Sequence, residues 1–63
     1  MNYRIVKKRQ LYYIEQQLSK NEWQPVNAIG YITGGIESPR TYTNTYKAEE
    51  AIKNFISKPI YIQ

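Results

Sequence analysis

The residue pattern predicts an α+β fold: a small antiparallel sheet of three to five strands with one helix, at about 46–57, packed on one face, in the order β-β-β-(β)-α-β. Three observations predict it. Apolar and polar residues alternate over 3–6 and 11–18, the period of half-buried strands. Ala48, Ala51, Ile52, Phe55 and Ile56 instead recur at i, i+3, i+4, i+7 and i+8, the period of an amphipathic helix. Ser19-Lys20-Asn21, Gly34-Gly35 and Pro59 punctuate the chain between these runs.

Taken in order, residues 3–6 alternate around Ile5 and lead into Lys7-Lys8-Arg9-Gln10, which reads as a charged turn. The next strand, 11–18, places Tyr12, Ile14 and Leu18 on one face. Leu11, Tyr13, Glu15 and Gln17 fall on the other, so that face is expected to be wet. Beyond the turn at 19–21 the chain becomes apolar again through Trp23, Val26, Ala28, Ile29, Tyr31 and Ile32. Pro25 has no N–H to give a ladder, so this segment is expected to be an edge strand, or to be bulged or broken there. Gly34-Gly35 is expected to form a hairpin turn, since both residues tolerate positive φ.

The return stretch is interrupted at Ser38-Pro39 and resumes with Thr41, Thr43 and Thr45 on one side and Tyr42, Asn44 and Tyr46 on the other. Neither side is apolar, which suits an edge strand or a partly ordered loop. Thr45 is expected to cap the helix, with Glu49 and Glu50 near the positive end of its dipole and Lys53 and Lys58 towards the negative end. Pro59 should stop the helix and leave Ile60-Tyr61-Ile62 as a terminal strand.

Residues 1–63 are read as a single domain, because a chain of 63 residues has room for one core. Such a chain buries only about 60% of the surface it exposes when unfolded. Small folds offset this with disulfides, metals or oligomerisation. The sequence has no Cys and no His, which removes disulfides and the thiolate and imidazole ligands of a zinc site. No metal and no cofactor are expected, and oligomerisation is the remaining supplement. Met1-Asn2-Tyr3-Arg4 lacks the apolar run of a signal peptide and no segment is apolar enough to span a bilayer, so a cytoplasmic setting is expected, with no membrane partner.

Catalysis is not expected. A nucleophilic triad needs an imidazole or a comparable base to take the nucleophile's proton, and the chain has no His and no Cys. Among the five glutamates, Glu49 and Glu50 are adjacent on the helix and point about 100° apart, so they cannot converge on one atom. Gly30, Gly34 and Gly35 lack the Gly-Lys-Ser/Thr ending of a phosphate loop.

Binding is the expected activity. One helix covers one face of a sheet, which leaves Tyr13, Glu15 and Gln17 turned outward. Trp23 and Tyr12 read as core side chains. A non-catalytic protein-binding module follows, self-associating as a homodimer or larger homo-oligomer through the uncovered sheet face or an edge strand. The richness in Ile, Asn, Lys and Tyr resembles the output of an AT-rich genome and suits a phage or mobile-element accessory protein that inhibits a host factor. The loop 34–40 is a further candidate, as a segment inserted into another protein's site.

The alternative class is a small basic nucleic-acid-binding domain. Nine Lys and Arg against five Glu give a net charge of +4, which favours polyanions. Lys7, Lys8, Arg9 and Arg40, with Arg4 and Lys20, would form a phosphate-binding rim, and Tyr13 and Tyr42 would offer rings for bases to stack on if both project from the uncovered face. Three strands followed by a capped helix over 45–56 resemble the small sheet-based DNA-binding domains at the N-termini of some integrases. That resemblance implies strands entering the major groove; no family motif is present to carry residues over.

Overall fold

The structure, a computed structural model, describes residues 2–34 and 38–57. Four strands precede one helix: β1 (Tyr3–Lys8), β2 (Leu11–Ser19), β3 (Glu22–Pro25), β4 (Thr41–Tyr42) and α1 (Thr45–Ser57). The sheet is antiparallel, with the helix packed against it. The terminal strand expected at 60–62 and the roles of Lys58 and Pro59 lie outside the described residues.

β2 is the centre of the sheet. β1 pairs along one side of it, from Tyr3 opposite Gln16 to Lys8 opposite Leu11. The intervening turn is only Arg9-Gln10, shorter than the expected turn over 7–10, because Lys7 and Lys8 stay in the ladder. Arg9 carries φ 60°, the left-handed conformation that a two-residue hairpin asks of its first turn residue.

On its other side β2 meets two short strands end to end. β3 covers Glu15 to Ser19, and β4 covers Tyr12 and Tyr13. Between them Val26 bridges the gap: its N–H donates to the Ile14 carbonyl at 3.0 Å, and its own carbonyl accepts from the Arg40 N–H at 3.4 Å. The two strands are one edge interrupted by the excursion 27–39. Pro25 is the last residue of β3: its carbonyl faces away from β2 and accepts from the Thr33 N–H at 3.1 Å, so its missing N–H falls on the outer edge, and the chain leaves β2 only after Val26.

The excursion has its own scaffold. Asn27 Oδ1 accepts from the N–H groups of Ile29 and Tyr31, both at 3.0 Å, and the Asn27 N–H donates to the Tyr31 carbonyl at 2.8 Å. Val26 and Ile32 then form an antiparallel bridge. The strand expected to run through Ile32 therefore reverses at 27–31, because an asparagine able to satisfy two backbone donors supplies the turn. Gly34 has positive φ, 66°, while Gly35, the other half of the expected hairpin signal, lies outside the described residues.

The helix starts one residue earlier than expected. Asn44 is the N-cap: its Oδ1 accepts from the Lys47 N–H at 2.8 Å, so Thr45 is the first helical residue and not the cap. Glu49 and Glu50 consequently fall in the second turn, where the dipole effect has faded, and Glu50 pairs with Lys53 at 3.6 Å. No helix among the described residues is long and apolar enough to cross a membrane.

The helix lies over the face formed by Tyr3, Ile5, Ile14 and Tyr42. Ile14, Val26 and Ala48 are fully buried, and Ala51, Ile52 and Phe55 pack on them from the helix. Ala48 is the helix residue that is fully buried. Leu18, expected beside Ile14, is 46% exposed, since the ladder slips by one residue between Gln17 and Ser19 at that end of β2.

Candidate binding face

The opposite face of the sheet is built by strict alternation from the pairings above. Arg4, Val6 and Lys8 of β1 lie beside Leu11, Tyr13, Glu15 and Gln17 of β2, followed by Trp23 and Pro25 of β3 and Thr41 of β4. None of these is fully buried; most are half-buried against one another.

The slip in β2 decides what sits at the centre of this face. Ser19 pairs with Glu22, and an unbroken ladder would next set Leu18 against Trp23, on the core side. Instead Leu18 is the extra residue of a bulge and Trp23 pairs with Gln17. A one-residue shift turns a strand's side chains to the opposite face, so Trp23, expected in the core, is presented outward.

There it meets Arg4. The guanidinium carbon lies 4.3 Å from the centroid of the Trp23 ring, and both Nε (2.8 Å) and Nη2 (2.7 Å) reach Glu15 Oε1 across the β1–β2 ladder. Arg4 is half exposed, so the ion pair contributes at most about 1 kcal/mol and the cation–π contact a similar amount. Their combined effect is geometric. The Arg4 plane is held on the indole, its charge is cancelled by Glu15, and Glu15 is left with little exposed surface.

Gln17, the third residue expected to face outward, does so while bracing the end of the sheet. Its Oε1 accepts from Asn2 Nδ2 at 2.8 Å and its Nε2 donates to the Lys20 carbonyl at 3.3 Å. Tyr13 lies further along, next to an open groove of about 1130 Å³ between the β1–β2 turn and residues 38–43. Lys8, Arg9, Leu11, Pro25 and Pro39 line that groove with it.

The remaining expected site residues are not gathered here. Tyr42 does not share the face of Tyr13: it pairs with Tyr12 and packs on the core beneath the helix. Burial there pushes its hydroxyl above the ordinary tyrosine value, against a smaller opposing pull from Arg40. Parity explains the difference, since Tyr13 and Thr41 are opposite one another and Tyr12 and Tyr42 are opposite one another. Lys7 stands 5.9 Å from the Tyr12 ring and Arg40 5.5 Å from the Tyr42 ring, both against rings of the helix-covered side. Lys8 and Arg9 alone of the four border the outward groove.

Sequence reasoning placed Tyr13, Glu15 and Gln17 on this face and missed the Arg4–Trp23 stack. Arg4 alternates with Ile5, which was a signal; Trp23 gave none, because its facing depends on a bulge with no residue signature of its own. The chain matches no protein-family model, no curated protein sequence and no solved structure. The likeness in element order to integrase DNA-binding domains thus has no match behind it.

Proposed function

We propose that this chain is a non-catalytic protein-binding module that presents the outward face of its sheet to a partner, a second copy of itself being the first such partner. The Arg4–Trp23 stack carries this reading. Trp, Tyr and Arg dominate the centres of protein contacts, and a ring and guanidinium already fixed in place lose little freedom on association. Cancellation of Arg4 by Glu15 also lets two chains of net charge +4 bring these centres together without direct repulsion.

The small core supports the same reading. With Ile14, Val26 and Ala48 as the fully buried apolar residues described, the fold gains from any further burial of apolar surface. A cytoplasmic accessory protein of a phage or mobile element, acting by binding and blocking a host factor, is the setting its composition suits. A nucleic-acid role is less well supported, since Lys7, Lys8, Arg9 and Arg40 divide between the two sides of the sheet and Tyr42 faces the helix.

Light scattering coupled to size-exclusion chromatography tests the proposal. At concentrations on the order of tens of micromolar the chain should run with twice its monomer mass. Trp23→Ala and Arg4→Ala should each shift it to monomer while circular dichroism stays unchanged. A parent chain that is monomeric throughout that range rejects self-association.

A further inference from the structure

The groove at the β1–β2 turn differs in chemistry from the centre of the face. Arg4 and Lys53 each have a glutamate partner, but Lys8 and Arg9 have no carboxylate within ion-pair distance among the described residues. None of the described residues lining the groove is acidic. Among the described residues two positive charges therefore border one concavity without compensation, and a negatively charged occupant is the one they favour.

The walls narrow the choice of anion. Leu11 is 42% exposed although it lies within a strand, and Tyr13, Pro25 and Pro39 add hydrocarbon around it. A phosphate chain would satisfy the two cations and leave that surface unused. Single-strand binders stack successive bases on several rings, whereas Tyr13 is the one aromatic residue described in this groove. A peptide carries both carboxylates and an aliphatic or aromatic side chain.

We infer that the groove between the β1–β2 turn and residues 38–43 receives a short acidic segment of another protein, its carboxylates meeting Lys8 and Arg9 and an apolar side chain seated against Leu11, Tyr13 and Pro25. This rests on reading the outward face as a protein contact, and adds a partner other than a second copy. Pro39 and Thr41 line the groove where the interrupted edge resumes.

Selection from a random peptide display library against the full chain, followed by fluorescence anisotropy of the recovered peptides, tests it. Recovered sequences should combine Asp or Glu with Leu, Ile or Phe. Lys8→Glu with Arg9→Glu should weaken their binding at least about tenfold. Lys20→Glu with Lys47→Glu, which makes the same change in net charge away from the groove, should leave it within about twofold. Leu11→Ser should weaken it without altering the circular dichroism spectrum.

Recovery of no sequence class, recovery of peptides without acidic residues, equal weakening by the two double variants, or tight binding of a labelled oligothymidylate that the peptides do not displace would each overturn the inference. Light scattering on the same samples separates the two ideas. A dimer that takes no peptide removes the groove assignment alone, and a monomer that takes one removes self-association alone.

Discussion

Gly30 lies close against the Phe55 ring: a β-carbon on Gly30 would stand 2.9 Å from both Cγ and Cδ1 of that ring. Through this contact the excursion 27–33 is held to the helix, since Gly30 has φ 88° and only a residue without a side chain can both adopt that conformation and approach so closely. Gly30→Ala should destabilise the fold by about 2–3 kcal/mol, from backbone strain and overlap together. Gly34→Ala has positive φ but open space, so strain alone should cost it about 1 kcal/mol. Urea midpoints of the two variants check this; equal losses would mean that the Phe55 contact contributes nothing.

Asn44 rather than Thr45 anchors the start of the helix. Asn44→Ala removes the acceptor for the Lys47 N–H and should cost about 1 kcal/mol, seen as a lower melting temperature and reduced helical ellipticity. Thr45→Ala, in the first helical position, should be close to neutral. The reverse order of effects would place the cap one residue later.

Arg9 holds the left-handed position of the β1–β2 turn without being glycine. Arg9→Gly should relieve that strain and stabilise the chain by about 0.5–1 kcal/mol, after allowing for the added freedom of glycine in the unfolded chain. Arg9→Val should destabilise it by more than this, because branching at the β-carbon resists positive φ. Thermal melts of the two variants decide the point, and a glycine variant less stable than the parent contradicts the turn geometry.

Tyr42 makes stability depend on alkaline pH. Its ordinary pKa is 10.0 and burial raises it in the folded chain, so the folded state keeps the hydroxyl proton after the unfolded state has begun to lose it. The contribution is whole below pH 10 and is lost as pH rises through the folded value. Urea midpoints measured at neutral pH and above 10 should fall, and Tyr42→Phe should fall less. Identical pH dependence in the two proteins would show that Tyr42 is not desolvated.

Much of this architecture was legible from the residues. The helix was, because Ala48, Ala51, Ile52 and Phe55 leave one apolar stripe whatever it packs on. So was β2, whose alternation separates Ile14 from Tyr13, Glu15 and Gln17, and so was the edge position of the strand that carries Pro25. The turn at Asn27 was less visible, since Ala28, Ile29, Tyr31 and Ile32 read as strand until the two donors served by the Asn27 side chain are seen.

What the sequence determined by itself is local: periodicity, the strand that can only sit at an edge, and the absence of thiol and imidazole side chains, all carried by single residues or near neighbours. Tertiary structure alone decided which way Trp23 and Tyr42 face. Trp23 and Tyr42 are sorted by the register of β3 and β4 on β2, and register is a relation between distant strands. One extra residue at Leu18 reverses the facing of Trp23, because side chains on a strand alternate and every unit of slip exchanges the two faces.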